Sequence, residues 1–337
     1  MSIVTLHLRN DPDFKEGDPE IVFAYALNGK GGVSEVALEE ARLGNLTDSY
    51  WIHLHGDHPD AWNWMEWHSG IDPSAIEALM AEETRPRMTE VDEGAVVILR
   101  GVNLNANEEP EDMVSIRIYV DKRRIISVRK RKLKAVHDIR VALERGAGPR
   151  NTGEFIAQLA DGLCNHMEPT LNLLNDQTDG AEQQILSKPD ASLRKEIVDI
   201  RMQSIIFHRY LAPQRDALAR MKLSEQKWLH IADKRLLQEC YDRITRYVED
   251  LDAVRDRAQI VHDELAFALS DKLNKNTFLL STVSAIFLPL TFLTGLLGMN
   301  VKGIPMAENP MAFWGVVIFL AFCTMMQIFL FKKWRWW

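Results

Sequence analysis

The sequence predicts an α+β cytoplasmic domain, an antiparallel sheet with helices around it, followed by a long stalk helix and two C-terminal transmembrane helices. Three observations carry this reading. Short apolar runs between residues 96 and 129 alternate with polar residues at a period of two, the mark of half-buried strands. A long charged stretch from residue 225 contains neither Pro nor Gly and repeats its apolar residues at three- and four-residue steps. Finally, residues 277–297 and 310–331 carry no charge, and each approaches the roughly 20 residues that a helix needs to cross a bilayer.

The first domain is assigned to residues 1–130. Its strands include VVILRGVN (96–103), MVSIRIYV (113–120) and RIISVR (124–129), with Val114, Ile116, Ile118 and Val120 on one face of the second. A helix over 73–83 starts at Pro73 with Asp72 as its N-cap. Residues 131–276 form a helical region. One helix runs from about Glu154 to Ser187, and another from Ser192 to Arg220. After a break near Leu223-Ser224, the apolar positions Leu229, Leu236, Leu237, Ile244, Val248, Leu251 and Val254 define the stalk. If the stalk continues through the first span, it makes one helix of about 73 residues, roughly 110 Å at the standard rise. Its carboxylates Asp250, Asp252, Asp256, Asp263 and Glu264 are expected to pair mostly with Arg243, Arg246, Arg255 and Arg257. Asp263 and Asp271, nearest the membrane, are the candidates for lining an axis and attracting cations.

The first transmembrane helix covers 277–297, a loop 298–309, the second helix 310–331 and a basic-aromatic tail 332–337. Lys272 and Lys275 precede the first span and Lys332, Lys333 and Arg335 follow the second, whereas the loop carries only Lys302. The positive-inside tendency therefore puts both termini in the cytoplasm, with the interfacial rings of Trp334, Trp336 and Trp337 at the inner surface.

Composition narrows the function. The 337 residues carry a formal net charge of −8, which argues against a dedicated nucleic-acid binder. Cys164, Cys240 and Cys323 are far apart and show no C-x-x-C spacing, so no disulfide or thiolate-zinc framework is expected. The first twenty residues show no basic stretch followed by an apolar one, so no secretory signal peptide is expected there. Phosphate-loop, zinc-protease and serine-hydrolase motifs are all missing, so the chain reads as a non-enzyme with no cofactor and no ATP-driven step. His53, His55, Asp57 and His58 suggest a zinc site, but surface or packing roles are more common for such residues. The basic run 121–134 reads as a solvated turn and strand end.

Within the first span, Asn274, Thr277, Ser281, Ser284, Leu288, Thr291, Gly295 and Gly298 follow alternating steps of three and four, a seven-residue repeat. All but Leu288 are small or polar. Such a seam can pack helices closely, or it can line a water-filled pore. Two spans cannot enclose a pore, so the second reading requires several copies of the chain. Pro289 falls mid-helix, where a missing N–H favours a kink.

The stretch FLPLTFLTGLLGMN, the second span directly after it and the basic tail resemble the CorA family of divalent-cation transport proteins, whose signature is Gly-Met-Asn at the end of the first of two C-terminal spans. Residues 82–103 are also similar to that family's cytoplasmic domain. The loop Val301-Lys302-Gly303-Ile304-Pro305 matches the G-I-P of the ZntB-like zinc branch and not the M-P-E-L-like loop of magnesium-transporting members. Lys302 departs from the branch's glycine. Repeated around an oligomer it would repel cations unless it points away or pairs with Glu308.

The resemblance implies a homopentamer in a bacterial-type inner membrane, with the first helices around the pore and the triplet at its outer mouth. Asn300 is then the selectivity residue, holding a hydrated divalent cation, most simply Zn²⁺, through its water. Gly298 and Met299 support its geometry. Some members of the zinc branch are thought to couple movement to protons, but neither span has a charged or His residue to relay them. A magnesium, cobalt or nickel channel, and a non-transporting metal sensor or scaffold, are the alternatives.

Overall fold

The computed structural model describes residues 20–42, 49–299, 309 and 311–333. The chain divides into two compact units, Met1–Lys188 with Ser192–His262, and Pro189–Ala191 with Asp263–Trp337.

In the first unit seven strands make one sheet: β1 (Ile21–Leu27), β2 (Val33–Glu35), β3 (Tyr50–His55), β4 (Arg87–Val91), β5 (Gly94–Gly101), β6 (Val114–Val120) and β7 (Arg124–Arg129). Their order is β2-β1-β3-β7-β6-β5-β4. All neighbours are antiparallel except β3 and β7, which run parallel from Tyr50 opposite Arg124 to His55 opposite Arg129. The expected α+β sheet is therefore mixed. The strands β1 and β3 lack the period-two pattern because both faces of the sheet are covered, and all six residues of β3 are buried.

One face carries Tyr50, Ile52, Leu54, Ile98 and Val128 against Trp64 and Met65 of α2 (Pro59–His68) and Ile76 and Leu79 of α3 (Pro73–Met80). On the other face, the Trp51 ring packs edge-on against Phe155 of α5 (Thr152–Ser187) at 4.7 Å. Gln214 of α6 (Leu193–Leu223) accepts a hydrogen bond from the Arg100 backbone at 2.7 Å. Two shorter helices, α1 (Leu38–Arg42) and α4 (Lys134–Glu144), complete the layers.

Helix ends follow local chemistry. Asp72 caps α3 by accepting from the Ser74 N–H at 2.8 Å, as expected. The helix stops at Met80 rather than 83 because the buried Arg117 guanidinium takes the carbonyls of Leu79, at 3.0 Å, and Glu82, at 3.2 Å. Burial lowers the Arg117 pKa to about 10. Asn151 caps α5 through the Glu154 N–H at 2.9 Å.

The long helix α7 spans Ile231–Leu297 and does not begin at 225. Residues 224–230 form a turn in which Trp228 is 2% exposed, and Asp233 accepts from the His230 N–H at 2.9 Å to start the helix. Leu237, Cys240, Ile244, Val248, Leu251 and Val254 form its buried stripe. The basic stalk residues pair differently from expectation. Arg243 reaches Asp161 of α5 at 2.9 Å, and Arg257 reaches Glu182 at 2.8 Å and Asp179, so two of the four arginines tie α7 to α5 rather than neutralising α7. Arg255 does stay on its own helix, bridging Asp252 at 2.9 Å and Asp256 at 3.1 Å. The thiols of Cys164 and Cys240, 76 positions apart in sequence, meet at this same contact. Their hydrogen bond, with burial, pushes the Cys240 thiol far above its ordinary range and keeps it protonated.

Gly153 sits where α5 meets the turn before α7, and an added Cβ there would collide with the Trp228 carbonyl and lie 2.5 Å from the Asp233 carboxylate. Gly153→Ala should therefore destabilise the protein by about 1–3 kcal/mol in urea unfolding followed by circular dichroism. Gly180, also inside α5, has nothing within 4 Å of the corresponding position. Gly180→Ala should instead be stabilising by roughly 0.5–1 kcal/mol.

Candidate functional site

The second unit contains the membrane-length part of α7 and α8 (Ala312–Lys333), both apolar and long enough to span a bilayer. All eight seam residues, Asn274, Thr277, Ser281, Ser284, Leu288, Thr291, Gly295 and Gly298, are exposed. The same stretch of α7 has one covered face. Thr282 is 7% exposed, and Ile286, Leu290 and Leu293 are half-buried. At 100° per residue this covered face lies about 180° around the helix from the seam. On α8 the half-buried positions Ala312, Val316, Leu320, Cys323 and Gln327 also form a single face, at steps of four, four, three and four. Each helix thus has a face shielded within the unit, and the seam residues of α7 are on the side left bare, while Thr282 lies on the shielded face.

The seam does not begin at Asn274. Seven residues before Asn274 is Phe267 and seven before that is Ile260, 75% and 62% exposed. Seven before Thr277 is Ser270 and seven before that is Asp263, both exposed. Asp263 therefore lies on the seam's own line. Asp271 lies about 80° around the helix from that line, and its carboxylate is held by Lys275 at 2.7 Å, an ion pair that raises the lysine pKa. Reading the sequence alone missed Ile260 and Phe267. Their signal is the same seven-residue step, obscured by the charged residues that surround them.

At the outer end the Gly298 N–H donates to the Thr294 carbonyl at 2.9 Å, extending the last turn of α7. Gly298 does not adopt a left-handed φ, but an added Cβ there would lie 3.2 Å from the Thr294 carbonyl oxygen, tighter than an ordinary contact. What the residue does supply is small size on the seam. Met299 is exposed. Asn300, Lys302, Glu308 and the tail 334–337 lie outside the described residues.

The histidine cluster does not form a metal centre. His53 and His55 are both buried in β3, and His53 Nδ1 is 2.7 Å from the Ser127 hydroxyl. Burial, then the charges of Arg129, His55 and Arg140, holds the His53 pKa well below its ordinary value. Among the described residues no three His, Cys, Asp or Glu side chains gather in a metal-holding group.

A family profile described as "CorA-like Mg2+ transporter protein" matches residues 47–333. The chain belongs to the CorA family. Membership makes it a membrane transport protein for divalent cations and not an enzyme. It is 36% identical over 331 residues to the "Divalent cation transporter CmaX" of Pseudomonas aeruginosa, covering 96% of this chain and 99% of that one. It is 34% identical over 307 residues to the "Zinc transport protein ZntB" of Pectobacterium atrosepticum, covering 91% of each. A solved structure of full-length CmaX superposes with a TM-score of 0.82 at 34% identity, over 96% of this chain and all of that one. The α+β unit, the long helix and the two apolar C-terminal helices are thus the CorA arrangement.

The two faces of α7 should differ in chemical accessibility. In a Cys323→Ser background, where the remaining native cysteines are buried, Ser284→Cys should react with a water-soluble thiosulfonate reagent. Ile286→Cys should stay unmodified over the same time, as read by mass spectrometry of the protein in membranes.

Proposed function

We propose that the chain is one subunit of a homopentameric transporter of divalent cations, most simply zinc, in a bacterial-type inner membrane with both termini in the cytoplasm. The observation that supports this reading best is the bare seam of α7. A single chain leaves it uncovered, and the line continues past the uncharged run through the exposed apolar side chains of Ile260 and Phe267. Exposed apolar residues outside a membrane call for a partner surface, and symmetry-related copies around an axis would bring every seam inward.

In this assembly the hydroxyls of Thr277, Ser281, Ser284 and Thr291 and the amide of Asn274 offer neutral oxygens along the path, with Leu288 and Gly295 between them. Asn300, supported by Gly298 and Met299, is the selectivity element at the outer mouth. Its amide oxygen can accept from the water of a hydrated cation without replacing that water, so an ion is held weakly enough to move on. Asp263 is the preferred acidic ligand at the inner end because it shares the seam's line. Asp271 acts there only if it releases Lys275. Zinc is favoured over magnesium by the Gly303-Ile304-Pro305 loop and by the 34% identity to a zinc transport protein. Any proton linkage acts outside the two spans, which carry no titratable side chain that could relay a proton.

The test is zinc entry into liposomes containing the purified protein, read by an internal zinc dye, with magnesium uptake in parallel, each with and without a pH gradient. Zinc influx should respond to the gradient and fall about tenfold or more in Asn300→Ala. Magnesium flux without zinc flux would move the chain to the magnesium, cobalt or nickel reading. Flux of neither would leave a metal sensor or scaffold.

A further inference from the structure

The basic run between residues 121 and 134 has a use that ion transport does not account for. Part of it is paired with carboxylates: Arg124 with Asp121 at 2.6 Å, Lys130 with Asp57 at 3.4 Å and Arg131 with Glu108 at 2.8 Å. Arg129, Lys132 and Lys134 of the same run, each with an interaction partner of its own, line a cavity of about 370 Å³ in the first unit, together with Arg140 and His137 of α4. Among the described residues no carboxylate lines this cavity. Two of the lining cations are in ion pairs, Lys134 with Asp138 at 3.7 Å and Arg140 with Glu144 at 2.9 Å. Four cationic side chains around one small cavity run against a chain whose net charge is −8.

The remaining lining is apolar. Val22, Phe23, Leu104, Leu133 and Val136 provide a floor, and the Phe23 ring stacks on the buried His53 imidazole at 4.9 Å. The Arg140 guanidinium lies 5.6 Å from the Phe23 ring centre. The first turn of α4 begins at the rim, and its N-cap, Leu133, makes no side-chain capping bond. The Val136 and His137 N–H groups donate to the Leu133 carbonyl, at 3.1 and 3.2 Å, so this end of α4 offers an anion chiefly the positive end of the helix dipole. The positive charge of Arg129 and Arg140 reaches the floor as well, since it adds to burial in keeping His53 neutral.

A flat apolar floor with a cationic rim fits a ligand that is flat and apolar at one end and polyanionic at the other. The volume lies in the range of small-molecule sites. Guanidinium and ammonium groups are the usual partners of phosphate oxygens. We propose that this cavity binds a nucleoside phosphate, its base on the floor by Phe23 and Leu104 and its phosphates at Arg129, Lys132, Lys134 and Arg140.

The experiment is isothermal titration of the full-length protein in detergent, with EDTA present so that no divalent cation bridges the ligand. The probes are ATP and, separately, inorganic phosphate. ATP should saturate one site per chain, and inorganic phosphate should bind far more weakly. Lys132→Glu with Lys134→Glu should weaken ATP about tenfold or more. Both side chains are exposed, and a glutamate suits the first turn of a helix, so the fold should survive. Arg140→Gln, an independent change on α4, should weaken ATP in the same direction. Lys122→Glu with Arg123→Glu, in the same basic run but away from the cavity, should leave the affinity within about twofold. No heat with ATP at about millimolar concentration would overturn the proposal. So would equal binding of phosphate and ATP, or an equal loss in the Lys122 and Arg123 variant.

Discussion

Everything in the second unit depends on the period of α7. An ideal α-helix drifts by about 20° per heptad against a strict seven-residue repeat. A slightly supercoiled helix, at about 3.5 residues per turn, removes that drift, provided its sequence keeps the strict repeat. Alternating steps of three and four do this from Ile260 to Gly298. On a straight helix the same line would wind by about 100° in five heptads, and only the supercoil keeps it in place. The seam can then act as one surface, and that surface faces away from α8.

The first unit solves a different problem. Its sheet is buried on both faces, so the strands between the two helical layers carry apolar residues at nearly every position. Two polar groups enclosed there have well-placed partners. Arg117 closes the end of α3, and the Trp51 indole donates to the Ser127 hydroxyl at 2.7 Å. The same serine lies against His53. A serine on β7, beside a parallel neighbour, thus serves two β3 residues that in sequence look like half of a metal site.

The elements legible from sequence were those whose signal is local. β7 and the alternating face of β6, the Asp72 cap and the end of α5 at Ser187 were read in place because two- and four-residue patterns and caps specify them. The parallel pairing of β3 with β7 was not legible, because it joins residues about 70 positions apart and leaves no periodic trace in either strand. The start of α7 was misplaced for a related reason. Residues 225–230 have good helix formers, but Trp228 gains more by burial against the rest of the unit than by continuing a helix. Along α7 the seam was legible because its period is strict. The distinction between Asp263 and Asp271 was not, since both are acidic and near the membrane. It appears only when their angles around α7 and the Lys275 ion pair are known.

The lack of charge in the spans constrains how a divalent ion could pass. Stripping water from a doubly charged ion in a low-dielectric span costs far more than a few hydroxyls return, and neither span offers a carboxylate, thiolate or imidazole ligand on the seam to make up the difference. On the proposed reading, the ion therefore keeps most of its water along α7, and neutral oxygens suit that because they accept from its hydration shell. Selection among ions cannot then rest on ligand softness inside the membrane. It has to be made where the path meets water, at Asn300 on one side and Asp263 on the other. The residues between them need only be small, polar and in line, which is what the seam provides.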